Sequence, residues 1–558
     1  MIHLDLIYNE CAMKEKRLFV CLSFVSLLVV SSCQSTAKKK KSHPSSVLET
    51  SLTSSTSVTS QSSNAERTSE NPLSYQSSLT SATSLTSATP TPSSSSNTSR
   101  PSSTSSTSST SSTSSTSVIP PDPPVDDYEV IETFSKRMPG EFEPAAMVKM
   151  CYPNNMPLSA YKTISEDQKI LLLVNPTSNG DSRISSARSE LTSAGANMDN
   201  ITFLDMEIDQ DYTYWVRDFS PFYVFNDKQL SITDFTYNRN RQEQNNVPFQ
   251  LATYFNIPYA KMDLVHTGGD LMQDGRGTAF SDDLVVDENS SKSKVLSQME
   301  QYTGTTNYVI TVDPQGDYIA HIDCWAKIVA PDKIIVAKLP TSDSRYSKYE
   351  QVANLFANTK CSYGYNYRVY RVEEPGGDTI APYTNSLILN NHVYMPLGEN
   401  NTYNQQAIEL YQQVLPGYEI HGIQGFSFNL DNCFLNTDAL HCRTHEVPDQ
   451  NMVFIDSRNV LNGTVSLPEQ YHVKINAVSY ANASISESNV KIHFSINNGT
   501  YQESAMSRYQ ETSNFTYTFN GLSSGDDVRY YVTVQDSQGH LQTDPTCGSN
   551  DPHHFIVQ

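Results

Sequence analysis

An α/β fold, arranged as a five-bladed pseudo-symmetric propeller and followed by an immunoglobulin-type β-sandwich, is what this sequence predicts, with a disordered stalk in front. Three observations predict it. First, strand–turn–strand units recur, headed by polar residues at Asp218, Asp270, Asp323, Asn385 and Cys442, at intervals of 52, 53, 62 and 57 residues. Spacing of that kind marks an internal repeat, and a radial array of five βαβ-like units brings the heading residues to one axis. Second, from Val460 onward the chain changes to short alternating strands separated by Asn/Gly/Asp turns, the pattern of an antiparallel sandwich. Third, residues 42–117 are Ser/Thr-rich low complexity with almost no large apolar side chains. Such a segment cannot offset the entropy of ordering.

Taken in order, residues 1–33 read as an export signal. Lys14, Lys16 and Arg17 form a positive start, residues 18–30 are apolar but too short to span a membrane as a mature helix, and Cys33 follows two serines. Small residues before a cysteine at that point resemble a bacterial lipoprotein signal, in which the cysteine is lipidated. Met13 is then an alternative start, and an ordinary signal peptide with an incidental cysteine is the other reading. Residues 34–127 form the linker, opening with Lys38 to Lys41, and its reach as a flexible coil is roughly 50 Å. The expected location is therefore the cell surface, lipid-anchored, or alternatively secreted.

Residues 128–450 form the repeat domain. Its strand–turn–strand units are Asp218 to Phe225 with Gln229 to Ile232, Asp270 to Asp274 with Thr278 to Phe280, Ile322 to Val329 with Lys333 to Val336, and Asn385 to Leu389 with His392 to Met395. Helices are expected over 181–194 and 293–302. Residues 451–558 form the sandwich, with strands near 465–467, 471–477, 490–496, 515–519 and 528–534. It carries no catalytic cluster, so a spacer role is expected there.

The bulk properties exclude some functions. Lys and Arg number 38 against 60 Asp and Glu, a formal charge of −22. Nucleic acid, whose phosphates demand a basic surface, is thereby disfavoured as a partner. The nine cysteines are scattered without a CxxC pair, so neither a zinc ribbon nor a small disulfide scaffold fits.

Chemistry concentrates in the heading residues. Cys442 lies among polar neighbours in Leu440-His441-Cys442-Arg443-Thr444-His445-Glu446, and a thiolate is a strong nucleophile near neutral pH. His321 and Asp323 stand together in His321-Ile322-Asp323-Cys324-Trp325, and Asp218 closes Trp215-Val216-Arg217-Asp218. Catalytic partners need closeness in space rather than in sequence. Singly, each has an ordinary alternative: a buried structural thiol, a core histidine, surface acids, a turn asparagine at 385. Asp270, in Thr267-Gly268-Gly269-Asp270, suits a structural turn as well as it suits catalysis. His441, Cys442 and His445 could be read as metal ligands, but without a second donor cluster that signal is weak.

These four motifs and Tyr383-Thr384-Asn385-Ser386-Leu387, taken in chain order and with the trailing sandwich, resemble the Porphyromonas-type peptidylarginine deiminases of the guanidino-group-modifying (pentein) superfamily, which also holds the agmatine deiminases. The resemblance runs from about residue 128 to the end of the chain. It implies hydrolysis of an arginine guanidinium to citrulline and ammonia, with no cofactor and no metal. By the same resemblance Cys442 is the nucleophile, and a thiouronium intermediate follows. His321 is the general acid and then general base, Asp218 and Asp323 grip the guanidinium, and Asn385 orients the cysteine. Arg239 and Arg241 match a pair that binds the carboxylate of a C-terminal arginine, with Trp215 and Tyr318 flanking its aliphatic stem. A solvated basic turn is the plain alternative for the pair. The expected partners are peptides or proteins ending in arginine. Two other functions stay open: a small-molecule guanidine hydrolase acting on agmatine or free arginine, and a catalytically inert surface adhesin.

Overall fold

The computed structural model describes residues 130–153, 156–208, 214–377, 382–425, 434, 439–466 and 470–558. The signal segment, Cys33, the stalk and Leu467 lie outside the described residues.

The repeat domain is an α/β mixture of five small sheets built on one plan. An antiparallel hairpin is followed by a helix, and the chain returns as a strand parallel to the hairpin's second arm. Strands Phe222–Asn226 and Gln229–Tyr237 lead through helix Gln242–Phe255 to Tyr259–His266. Strands Met272–Gln273 and Thr278–Asp282 lead through two helices, the second Lys292–Thr303, to Asn307–Thr311. Ala326–Ala330 and Lys333–Lys338 lead through Tyr346–Ala357 to Arg368–Glu373. Leu387–Leu389 and His392–Pro396 lead through Asn401–Val414 to Glu419–Ile423. The fifth sheet joins the two ends of the domain: His445–Pro448 pairs antiparallel with Ala145–Tyr152, which continues in parallel to Ile170–Val174 and Ile201–Asp205.

The hairpins form because their arms are β-branched or aromatic runs broken by turn-forming pairs. Asp227 and Asn390 adopt the left-handed conformation that such two-residue turns need. The arms are buried on both faces, as Ile328, Val329, Ile334, Ile335 and Val336 show, which explains their near-continuous apolar character. The expected helices are present as Ile184–Ala194 and Lys292–Thr303. Asn256 and Gly304, both at positive φ, terminate the helices that precede them.

Just before four of the hairpins the chain makes a single helical turn: Val216–Phe219, Gly268–Asp270, Ile322–Cys324 and His441–Arg443. Asn385 occupies the equivalent bend before Leu387. The first turn adjoins the second, the second the third, and the fourth the first. Asn385 closes the gap: its Nδ2 donates to the Asp323 carbonyl at 3.4 Å, and its own carbonyl accepts from the His441 amide at 3.1 Å. Strand-head residues far apart in sequence therefore meet at one place.

The C-terminal region is a two-sheet β-sandwich. One sheet orders Val453–Ser457, Tyr471–Ser479, Asn514–Phe519 and Ser507–Arg508. The other is built on Asp527–Gln535, flanked by Val490–Ile496 and His553–Val557. Ile475, Ile492, Phe515, Val532 and Phe555 fill the space between. A polar seam fastens it to the repeat domain. Asp544 accepts from the Tyr363 hydroxyl at 2.6 Å and lies 3.3 Å from Arg276, while Asp551 pairs with Lys333 at 2.7 Å and Arg368 at 3.0 Å. Arg137 stacks 3.7 Å over the Phe454 ring, donates to Tyr480 and forms a bidentate pair with Glu143. The five described cysteines, 151, 324, 361, 442 and 547, are all buried and reduced. Among the described residues no helix is long and apolar enough to cross a membrane.

Candidate active site

The meeting point of the turns holds Cys442, His321 and Asp323, whose sulfur, ring nitrogen and carboxylate oxygen lie within 4.8 Å of one another. Two glycines permit this approach. A Cβ on Gly269 would stand 2.4 Å from Nδ1 of His321, and one on Gly268 would stand 2.1 Å from the Arg217 carbonyl. Neither glycine has positive φ, so closeness rather than backbone conformation demands them.

Asn385 fixes the thiol. Its Nδ2 donates to the Cys442 sulfur at 3.2 Å, and its Oδ1 accepts from the backbone amides of His441 and Cys442 at 2.8 and 3.3 Å. The thiol lies 3.8 Å from Oδ2 of Asp323. A second cysteine, Cys324, hydrogen-bonds to Cys442 from the Asp323 turn. That contact lowers the affinity of Cys442 for its proton, but burial and the carboxylates of Asp323 and Asp218 outweigh it and raise the pKa above the ordinary thiol value. The Cys442 side chain is thus held as a thiol.

The two carboxylates differ. Burial acts to raise Asp323, but His441 donates to it at 2.6 Å, and this bond with the charges of His441, His321 and Arg217 holds it below the usual range. Asp218 has no such partner. Burial and the nearby Asp323 push it to about 8, against opposing pull from Arg239, Arg241 and Arg217. Its Oδ1 and Nδ1 of His321 are buried without a hydrogen-bond partner and stand 3.7 Å apart. Burial lowers His321 to about 4, so its ring is neutral near pH 7; Nε2 contacts the Thr267 hydroxyl at 3.2 Å. An imidazole nitrogen and a carboxyl oxygen therefore stand beside the thiol with hydrogen-bonding capacity unspent.

Sequence reasoning missed what supports Asp323. His441 also contacts Glu141 at 2.7 Å through Nε2, so its ring bridges the two carboxylates. Glu141 also takes Lys327 on both oxygens at 2.7 Å and lies 3.8 Å from Arg217, which pairs with Glu446 at 2.7 Å. These cations hold Glu141 well below the normal range despite its burial. Glu141 stands 300 residues from His441 in a segment without a motif, so nothing in the sequence singles it out. His445 turns away, its Nδ1 against the Glu446 carbonyl at 2.9 Å, and does not join Cys442 as a donor. Asp270 is a scaffold: buried, it accepts from the Asp282 amide at 2.8 Å, and burial with the adjacent Asp282 raises it well above the usual range.

Arg239 and Arg241 follow strand Gln229–Tyr237, half-buried and close enough to Asp218 to act on its charge. Arg241 contacts the Tyr237 hydroxyl at 3.4 Å. Trp215 caps the Asp218 turn, packing on Tyr214 with the Arg443 guanidinium 5.6 Å from its ring. Tyr318 is 85% exposed on the loop before His321 and is not part of the buried cluster.

Comparison with known proteins identifies this region. Residues 473–545 match the model of carbohydrate binding module family 56. A protein of Legionella pneumophila (strain Philadelphia 1), provisionally named an agmatine deiminase, is 25% identical over 309 residues, 51% of this chain and 83% of its own. The structure of the agmatine deiminase of Enterococcus faecalis aligns at TM-score 0.48 and 20% identity, over 57% of this chain and 96% of that one. The agmatine deiminase of C. jejuni aligns at 0.46 and 18%, over 56% and 96%. Residues 137–448 match the model of the Porphyromonas-type peptidyl-arginine deiminases, and with more than half its length so matched the chain belongs to that family.

Proposed function

We propose that this protein hydrolyses the guanidinium of a C-terminal peptidyl arginine, giving citrulline and ammonia. The observation that carries the reading is the convergence of Cys442, His321, Asp323 and Asp218 with Arg239 and Arg241 beside the last. A guanidinium is planar, cationic and resonance-stabilised, hence a poor electrophile. Two carboxylates gripping its nitrogens fix its plane and keep positive charge on the carbon to be attacked. Its charge also lowers the affinity of Cys442 and Asp218 for their protons, so the substrate assists its own activation. The Cys442 sulfur attacks the carbon while neutral His321 takes the thiol proton. His321 returns that proton to the departing nitrogen, leaving a thiouronium. It then takes one proton from water, whose oxygen bonds to the carbon; the C–S bond breaks, the hydroxyl proton passes to the departing sulfur to restore the thiol, citrulline is released, and the proton on His321 passes to the freed ammonia. Asn385 holds the sulfur throughout. None of these steps calls on a metal or cofactor. We read the five sheets as blades of one propeller with this site on its axis.

Arg239 and Arg241 decide between substrates. A carboxylate on the substrate gains charge-assisted bonds from such a pair, whereas agmatine, which lacks one, meets only repulsion. Trp215 and, on a more exposed footing, Tyr318 would flank the stem. The test is citrulline or carbamoyl-product release from a peptide ending in arginine, the same peptide amidated, and agmatine. Preference for agmatine would overturn the peptidyl reading in favour of a small-molecule deiminase.

In the sandwich we propose a polysaccharide-docking surface rather than a spacer. The matching family model supports this, as does an aromatic patch in which His493 stacks on Tyr531 at 4.5 Å with half-exposed Tyr501 5.5 Å away. Retention on insoluble polysaccharides that Tyr501→Ala abolishes would support it. Export and lipid anchoring through Cys33 complete the proposal.

A further inference from the structure

A second cluster of donor side chains lies on the fourth sheet, outside the network around Cys442. Strands His392–Pro396 and Glu419–Ile423 run parallel, with His392 in register with Glu419 and Tyr394 with His421. Alternate residues of a strand share a face, so His392, Glu419 and His421 project from the same side. Nδ1 of His392 is 3.0 Å from Nε2 of His421, and Oε2 of Glu419 is 4.0 and 3.9 Å from these nitrogens. We propose that these three side chains form a binding site for a divalent transition metal of the zinc class, with a fourth position left for water.

Bond geometry favours this reading. Ligand atoms about 2.0–2.1 Å from a tetrahedral zinc lie about 3.3 Å from one another. The observed triangle of 3.0, 3.9 and 4.0 Å brackets that value, so changes of about 0.3–0.7 Å along its edges, mostly by the exposed Glu419 side chain, would close the site. A bare hydrogen bond between the imidazoles accounts for one edge of the triangle. It does not account for a carboxylate nearly equidistant from both rings. Two histidines and one carboxylate are a donor set that zinc accepts, leaving an open position. The charge around the site is negative as well: Glu166 and Asp167, at the end of helix Leu158–Asp167, act electrostatically on His421. Tyr394, its ring 5.0 Å from that of His421, packs against the second ligand. Burial is graded. His392 is 6% exposed and anchors the site, while Glu419, 63% exposed, gives access from solvent. Bound metal would clip the two strands together. His392 opens the second arm of the hairpin that begins just after Asn385, so the clip would brace the support of the thiol from outside.

Zinc titration of the metal-free full-length protein tests this, by calorimetry and by competition with a chromophoric chelator. Cys442→Ala is the background, because His321, Asp323 and Cys442 are themselves a possible donor set. One zinc equivalent is expected to remain there. His392→Ala and His421→Ala should each weaken it at least about 100-fold, more than loss of a supporting residue costs a metal site. Glu419→Gln, on an exposed side chain, should weaken it without disturbing the fold. Cobalt in the site should show d–d bands without sulfur-to-metal charge transfer. Absence of binding in the Cys442→Ala protein, affinity unchanged in the histidine and Glu419 variants, or a thiolate band with cobalt would each overturn the proposal.

Discussion

Asp218→Asn should make the protein more stable and inactive at once, and the gain should depend on pH in a calculable way. In an unfolded chain the carboxyl ionises near 3.9; in the native site it does so at about 8. Between those values the native state holds a proton that the unfolded state has released. Stability therefore falls as pH rises across that window, at about 1.4 kcal/mol per unit. The loss is about 1.5 kcal/mol at pH 5 and about 5–6 kcal/mol at pH 8 and above. Asparagine does not titrate, so the advantage of the variant should grow by about 4 kcal/mol from pH 5 to pH 8. His321 contributes on the acid side only. Its native value of about 4 lies below the unfolded one, so its stabilisation is lost as pH falls from 6.5 through 4. It is common to both proteins and cancels in the comparison.

The assay is urea unfolding of wild type and variant in parallel at pH 5, 6.5 and 8. A constant difference across pH would refute the account of Asp218 as a buried acid kept protonated by its surroundings. Activity supplies the second half. If guanidinium binding requires the ionised carboxylate, kcat/KM of the wild type should rise about tenfold per unit up to about pH 8. The Asp218→Asn variant should lose at least about 100-fold at pH 8 and above, since charge-assisted bonds are worth about 1.5–3 kcal/mol each, and its deficit should shrink as pH falls and the wild-type carboxyl takes up its proton.

Cys442→Ser should abolish turnover with an unfolding transition close to wild type, because a hydroxyl cannot attack a guanidinium unaided; residual activity above a few per cent would exclude the nucleophile. Arg239→Ala and Arg241→Ala should each lower kcat/KM about 10- to 100-fold on peptides ending in arginine and little on amidated ones, and equal losses on both would assign the pair to the fold. Glu141→Gln should destabilise the protein by about 3–5 kcal/mol, since Lys327 and Arg217 would face a buried neutral amide. It should also lower kcat through the His441 bond to Asp323, and a wild-type melting curve would contradict the charge chain. Metabolic fatty-acid labelling should tag the protein and Cys33→Ala should remove the tag; an unlabelled wild type would mean an ordinary signal peptide.

What could be read from the sequence was what repeats or alternates. The hairpins announced themselves because turn pairs such as Asn226-Asp227 and Asn390-Asn391 interrupt β-branched runs. The strand-head residues stood out because the same unit recurs five times. Glu141, Tyr237 and Cys324 were not legible as site residues. Glu141 reaches His441 from a loop with no periodicity, and Cys324 reads as a neighbour of Asp323 until the turn of residues 322–324 aims it at Cys442. Closeness across 300 residues is a property of the packed turns, and no local pattern encodes it. His392 and His421 escaped for the same reason: only the parallel register places them on one face.

The two carboxylates owe their contrast to a chain of charges that reaches only one of them. From Glu446 through Arg217, Glu141 and His441 to Asp323, acidic and basic side chains alternate, each within 4.0 Å of the next, and Lys327 branches from Glu141. Asp323 is thus neutralised by the protein itself and is ionised before any ligand arrives. Asp218 sits at the same cluster without a partner of its own and keeps its proton. Acids whose environments drive their affinities apart commonly divide the work of a site. Here Asp323 is the permanent anion, and Asp218 becomes one when a cation enters beside it. Binding of a guanidinium should therefore release about one proton per site below pH 8. Calorimetry of the Cys442→Ser protein with a C-terminal arginine peptide, in buffers of differing ionisation enthalpy, measures that number directly. A value near zero at pH 6.5 would mean that Asp218 is already charged, and the division of labour between the two carboxylates would fall with it.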